Sequence, residues 1–282
     1  MPPGERLPSA VTVPSSSVDP DVCSDTLRDG VLDIAGRILP ASNATFLAEA
    51  VCGDVRIRCV YKPTAGERPL WDFPDGTLAA RERAAYVVSE ALGWDVVPRT
   101  LLRDGPAGPG MVQEWREPVE DASPVDLCAQ GHVPDGYLHV LDALDGDGDA
   151  VSLVHEAAAA LRRMAVFDVV VNNADRKGGH VLAMRDGHRH GVDHGVCFHV
   201  EGKLRTVLWG WAGERLSPDD ADAVGTLVEV LHDPTSPLMA ELTELLTSVE
   251  VAAMRERALR LVQSGTMPLP SGAWPSIPLP AF

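Results

Sequence analysis

Three short segments, VLDIAGRI, FLAEAV and VRIRCVYK, follow one another between residues 31 and 62, with turn residues in PASNAT and CGD. Connections this short join neighbouring strands antiparallel, so the stretch predicts a meander that must bury one of its faces. Alternation in the third strand puts Val60 and Lys62 on one face and Cys59 and Tyr61 on the other, which sends a lysine toward a cleft beside a small apolar residue. The next segment, TLAARERAAYVVSEAL from Thr77 to Leu92, opens on a capping residue, is built of helix formers and stops before Gly93. It predicts a helix with Glu82 in its early turns, where a buried ion pair with Lys62 would hold the lysine for phosphate oxygens. Two solvated charges are the simpler alternative.

A chain of 282 residues has room for two small lobes, each with a core. Its net charge of -17 repels nucleic-acid backbones and anionic lipid surfaces, so neither is an expected partner. The five cysteines, Cys23, Cys52, Cys59, Cys128 and Cys197, are scattered and odd in number, which predicts free thiols in a reducing cytoplasm. No segment has the length and apolarity of a membrane span, because Arg162 and Arg163 interrupt the most apolar stretch. The Pro/Ser-rich start and the Pro-rich end beyond Thr266 read as tails, the second either docked through Trp274, Ile277, Leu279 and Phe282 or free.

In the second half, an apolar stripe through Leu153, Ala157, Leu161, Met164 and Phe167 predicts a helix from about Leu153 to Asp168. Further on, VLAMR, Asp186-Gly187 and HRHGVDH predict a hairpin with a two-residue loop. Counting outward from that loop puts His180 opposite Asp193, with Cβ atoms roughly 5 Å apart and able to share a cation. Two other groupings are weaker. His180, His188, His190, His194 and His199 are numerous enough for a zinc or iron site, but His188 and His190 fall beside the turn and read as a solvated strand face. The run DGDGDAVSLVHE matches a calcium loop at Asp145, Asp147, Asp149 and Glu156, yet Ala150 stands where that loop needs glycine, so an acidic helix-capping linker is expected. Ser217-Pro218, Ser236-Pro237 and Thr247-x-x-Glu250 open three further helices. Trp209 and Trp211 serve either acceptor access or core packing.

VVVNNADRKGGHVL followed by GVDHG resembles the catalytic and metal-binding segments of the phosphatidylinositol 3- and 4-kinase-like branch of the protein-kinase-like fold, to which toxin kinases of the Hip type belong. The chain is also similar to an actinobacterial family labelled phosphatidylinositol-kinase-like, a label that names a fold and not a substrate. The resemblance spans roughly residues 31 to 215. It implies an α+β, two-lobed protein-kinase-like fold: a flexible tail over 1–30, a small antiparallel-sheet N-lobe over 31–117, a mainly helical C-lobe over 118–265 and a Pro-rich tail over 266–282. It implies ATP with Mg²⁺ or Mn²⁺ as cofactors. Asp175 takes the place of the catalytic aspartate, Arg176 beside it joins the catalytic group by holding the loop or offsetting charge, and His180 and Asp193 take the metal-binding positions. Lys62 takes the place of the phosphate-binding lysine and Glu82 that of its helix partner. Ser42, Asn43 and Thr45 lie in the phosphate-covering turn, and Gln113, Glu114 and Trp115 in the hinge around adenine.

In that scheme Asp175 orients an acceptor hydroxyl and takes its proton, while the metal neutralises charge between the β- and γ-phosphates. His180 departs from the pattern, which has an amide side chain there, and Mg²⁺ prefers oxygen. Three readings follow: Mn²⁺ or another imidazole-tolerant ion, a His180 contact to phosphate, or nucleotide binding without transfer. Asn172 or Asn173 is an alternative ligand. The expected activity is ATP-dependent transfer of phosphate to a protein or small-molecule hydroxyl. The alternatives are a nucleotide-binding pseudokinase that acts through a partner, an AMP transferase and, behind these, a histidine-site metalloenzyme.

Overall fold

A computed structural model of the chain describes residues 18–39, 43–272 and 275–282; residues 1–17 of the expected N-terminal tail, the expected phosphate contact Ser42 and the tail residue Trp274 lie outside the described residues. The meander forms as read: β1 (Val31–Arg37), β2 (Phe46–Cys52) and β3 (Val55–Pro63) pair antiparallel. With β4 (Thr100–Gly105) and β5 (Gly108–Glu114) they make a five-stranded sheet in the order β1-β2-β3-β5-β4. Alternation decides which face is dry. Ile57, Cys59 and Tyr61 of β3 join Ala48, Ala50 and Val112 in a core that α1 (Pro20–Asp29) covers with Cys23 and Leu27. Where β5 crosses β3 the backbones are so close that a Cβ on Gly110 would stand 2.3 Å from the Lys62 carbonyl oxygen, so only glycine fits.

The helix α1 corrects the expectation of a flexible tail over 1–30. The Asp19 side chain accepts the Asp21 N–H at 2.9 Å, Pro20 fills the first turn, and Cys23, Thr26 and Leu27 form a buried stripe at helical spacing. The Asp-Pro start was a helix signal hidden in a Pro/Ser-rich context.

The larger unit comprises Pro69–Pro98 and Glu117–Phe282. Its helix α2 (Leu78–Leu92) has the expected boundaries, with Thr77 Oγ1 accepting the Ala80 N–H at 3.0 Å and Gly93 left-handed at φ 66. Residues 69–98 therefore interrupt the expected lobe over 31–117: Ala84, Ala85, Val87, Val88 and Leu92 are buried in the core of the larger unit, against α4 (Pro218–His232) and α5 (Pro237–Leu245). A second sheet has β8 (Ala150–Glu156) between β6 (Val125–Ala129) and β7 (Tyr137–Leu144). The expected helix from Leu153 is thus divided, and α3 starts only at Ala159 and runs to Val171. Strand wins over 150–156 because β6 and β7 both pair with it and its Val151 and Val154 suit a pleated surface. The acidic run is the β7–β8 turn and not a helix cap, with Asp145 Oδ1 accepting the N–H groups of Asp147 (3.0 Å) and Asp149 (2.9 Å).

The serine caps of α4 and α5 form as read, and α6 (Ser248–Ser264) opens on a full capping box between Thr247 and Glu250. Of the two states expected for the C-terminal tail, the docked one holds for part of it: Trp209 Nε1 donates to Ser276 O (2.8 Å), Gly178 N donates to Ala281 O (2.8 Å) and Ile277 packs on the core, while Leu279 and Phe282 of the expected docking set are exposed. The chain is accordingly α+β, with antiparallel sheets and, among the described residues, six α-helices. Among these residues no helix is long and apolar enough to cross a membrane.

Buried His155 on β8 uses both ring nitrogens in its neutral form: Nδ1 donates to Glu156 O (3.0 Å) and Nε2 accepts the Gly210 N–H (3.0 Å). Burial holds its pKa below the ordinary 6.5, against a weaker upward pull from Glu156. The unfolded chain therefore takes up this proton first on acidification, and the contribution of His155 to stability is lost as pH falls below about 6.5. We expect the urea midpoint to drop between about pH 7.5 and about pH 5.5, and to drop less in His155→Gln. Equal pH dependence in the two proteins would contradict this assignment.

Candidate functional site

The site grows from the end of α3. Asn172 stops the helix in a left-handed conformation (φ 55), its Nδ2 donating to the carbonyls of His199 (2.9 Å) and Glu201 (2.6 Å) while its Oδ1 accepts the Lys203 N–H (3.0 Å). Asn173 Nδ2 donates to Asp168 Oδ1 (3.0 Å) and its Oδ1 accepts the Asp175 N–H (2.9 Å). Both amides are committed to shaping the loop, which argues against their use as substitute ligands.

Arg176 is the hub of this loop. Its side chain and that of Asp168 are each 0% exposed, joined by Nη2 to Oδ1 at 2.9 Å and by Nε to Oδ2 at 3.0 Å. The same guanidinium donates through Nη1 to the carbonyls of His180 (3.3 Å) and Val192 (3.2 Å) and through Nη2 to His194 Nε2 (2.7 Å). Of the roles expected for Arg176, the structure shows that of holding the loop: buried completely, it ties the Asp175 loop to the turn at Asp193. Asp175 itself stays accessible, its side chain 28% exposed, with Lys177 Nζ 3.2 Å from Oδ2.

The hairpin is β9 (Val181–Ala183) with β10 (Arg189–Gly191), and its register differs from the expected one by a residue: Ala183 pairs with Arg189 and Val181 with Gly191. The loop closes through Met184 N to His188 O (3.0 Å), so Arg185, Asp186 and Gly187 form a three-residue turn, with Gly187 at φ 89. By ladder count His180 therefore faces Val192, whose N–H bonds its carbonyl at 3.0 Å. Asp193 meets His180 all the same, because its backbone turns left-handed (φ 62) and brings Oδ2 to 3.5 Å from His180 Nε2. Two further contacts fix these groups. His180 Nδ1 donates to Asp175 O (3.0 Å), and the buried Glu82 carboxylate on α2 accepts the His194 N–H (2.8 Å). Burial lowers the His180 pKa, with Asp193 pulling the other way. In the neutral ring with Nδ1 protonated, Nε2 carries a lone pair and lies near a carboxylate oxygen. Two acceptors at this separation are residues that could hold a shared cation.

In the smaller unit, Lys62 is half-buried on β3 and pairs across the ladder with Met111. Asn43 Oδ1 accepts the Arg68 N–H (2.9 Å) and Thr45 Oγ1 donates to Asn43 O (3.4 Å), so the described part of the expected phosphate turn is held by its own side chains. Gln113 is buried and donates Nε2 to Thr100 Oγ1 (2.8 Å). The Glu114 carboxylate lies 3.2 Å from Arg116, and the Arg58 guanidinium sits over the Trp115 ring at 5.0 Å.

The structure thus gathers Asp175, Arg176, His180, Asp193 and Glu82 in the larger unit, and sets Lys62 and the 113–115 segment on the adjacent strands β3 and β5 of the smaller. Sequence reasoning missed the role of Asp168, and it named Asn173 only as an alternative ligand and His194 only within the histidine group. Asp168 did leave a signal, being the one acid in the apolar run MAVFDVVV. His190 is also buried, which corrects the expected solvated face.

Fold and site define a two-unit α+β protein with an acid- and imidazole-lined loop fastened by a buried arginine. Over 265 residues the chain is 52% identical to Protein Rv2133c of Mycobacterium tuberculosis (strain ATCC 25618 / H37Rv), an alignment that covers 91% of this chain and 94% of that protein. The chain belongs to the family of that protein. No family model matches it.

Proposed function

We propose that the protein is an ATP- and metal-dependent phosphotransferase of the two-lobed, kinase-like class, acting in the cytoplasm on a protein or small-molecule hydroxyl. The observation that carries this reading is the 3.5 Å approach of His180 Nε2 to Asp193 Oδ2, next to an accessible Asp175 on the same loop. His180 Nε2 and Asp193 Oδ2 would hold the divalent ion, which when bound would supply positive charge against the phosphates. Asp175 orients the acceptor hydroxyl and takes its proton. Glu82, bonded to the His194 N–H, steadies the Asp193 turn from α2. On this reading Lys62 neutralises phosphate charge, the turn around Asn43 and Thr45 offers backbone amides, and the Gln113–Trp115 segment holds adenine. A ligand pair of one imidazole and one carboxylate favours Mn²⁺ over Mg²⁺.

The test is calorimetric titration of the full chain with ATP in the presence of Mn²⁺, of Mg²⁺ or of neither, beside Asp193→Ala. Binding that needs the ion and disappears in the variant supports the reading, and absence of ATP binding under all three conditions overturns it. Label supplied at the γ- or at the α-phosphate then separates phosphate transfer from AMP transfer, and binding without release of either label marks a pseudokinase.

A further inference from the structure

We infer that Asp95, His188 and His190 form a separate site for a transition-metal ion of the zinc class. Histidines 188 and 190 are two residues apart in an extended segment, so their side chains leave the same face of the hairpin. The ring centroids lie 4.5 Å apart, edge to face. Arg189 is engaged elsewhere, its Nε and Nη2 donating to Glu156 Oε2 at 3.0 and 2.7 Å. Asp95 arrives from another part of the chain. Beyond the left-handed Gly93 that ends α2, Asp95 is itself left-handed (φ 49), and the following Val96 carbonyl accepts the Gly191 N–H at 2.7 Å. That bond lays residues 95–96 along β10. One ligand atom from each of Asp95, His188 and His190 lies within 4.8 Å of the other two.

The outer contacts suit a metal as well. His188 Nε2 donates to the Asp95 carbonyl at 2.8 Å, which leaves the lone pair on Nδ1. A backbone carbonyl on the far nitrogen is the usual device that fixes the tautomer and orientation of a metal-binding imidazole. Two imidazoles and one carboxylate are a donor set for Zn²⁺ and its neighbours in the first transition row, and a poor one for Mg²⁺ or Ca²⁺. Three protein ligands leave a coordination position for water or an incoming group. Because Asp95 is exposed and His190 buried, the ion would enter from the Asp95 side and pin residues 95–96 to the hairpin that leads to Asp193. This inference does not depend on the nucleotide reading.

The experiment is zinc titration of the full chain after treatment with chelator, followed by calorimetry and by the visible spectrum of the Co²⁺-loaded protein. Asp95→Asn keeps a residue that tolerates the left-handed backbone, and His188→Ala changes a half-buried side chain, so neither variant should compromise folding. We expect one equivalent of Zn²⁺ in the unaltered protein with a rise in melting temperature, and affinity weakened at least about 100-fold in each variant. Asp193→Ala should keep the Zn²⁺ affinity and the Co²⁺ spectrum. Absence of stoichiometric Zn²⁺ binding would overturn the inference, as would equal affinity in Asp95→Asn and His188→Ala. Loss of binding in Asp193→Ala alone would move the ion to the His180 site and equally refute it.

Discussion

Arg176→Met should destabilise the larger unit by about 3–5 kcal/mol, enough to leave much of the protein insoluble or unfolded at growth temperature. Methionine matches the length of the arginine stem but leaves the Asp168 carboxylate, 0% exposed, without its counter-charge. Asn173 Nδ2 at 3.0 Å and Thr206 Oγ1 at 3.4 Å remain as donors, and these neutral bonds offset only part of the cost of a buried anion. The carbonyls of His180 and Val192 lose their shared donor in the same step. The double variant Arg176→Met/Asp168→Asn should recover part of the loss, because an amide carries no charge to bury. Urea denaturation followed by circular dichroism checks both proteins. A loss under about 1 kcal/mol for the single variant would show that the pair is not the clamp described here.

The second large effect is on activity. On the phosphotransfer reading, Asp175→Asn should slow transfer roughly 10²–10⁴-fold, the usual contribution of a positioned general base. Its stability should change little. The backbone bonds at this residue, from its N–H to Asn173 and from its carbonyl to His180, survive the substitution. The ion pair lost is that with Lys177 at 3.2 Å, a partly exposed pair that contributes about 1 kcal/mol or less. Single-turnover transfer of labelled γ-phosphate at saturating ATP reads the chemical step alone. A rate equal to that of the unaltered protein would remove Asp175 from the chemistry, while a fall in melting temperature matching the fall in rate would reduce its role to structure.

Much of the scaffold was legible because its signals are local. Thr77 and Gly93 bracket α2, Ser217, Ser236 and Thr247 open the last three helices, and period-two alternation sorts Tyr61 from Lys62. What escaped depends on partners distant in sequence. Leu153 continues a helical stripe on paper, yet β6 and β7 claim it for a sheet. The hairpin register slipped because Asp-Gly suggests a two-residue turn, and only the Met184–His188 closure shows three. His180 and Asp193 were paired through that wrong register and still meet, since the left-handed turn at Asp193 makes up the difference. Arg176 was read as holding its loop, but its partner was out of reach: a basic side chain in a polar loop gives no sign that it turns inward to a carboxylate eight residues earlier.

The backbone at Asp193 bears on any attempt to engineer this protein. A left-handed aspartate at φ 62 is less comfortable than glycine or asparagine there, by up to about 1 kcal/mol. A library screened for thermostability alone will therefore tend to enrich Gly or Asn at 193, and the hardier survivors will have discarded the carboxylate beside His180. Screens that aim to keep the His180–Asp193 pair should hold position 193 constant and look for robustness elsewhere.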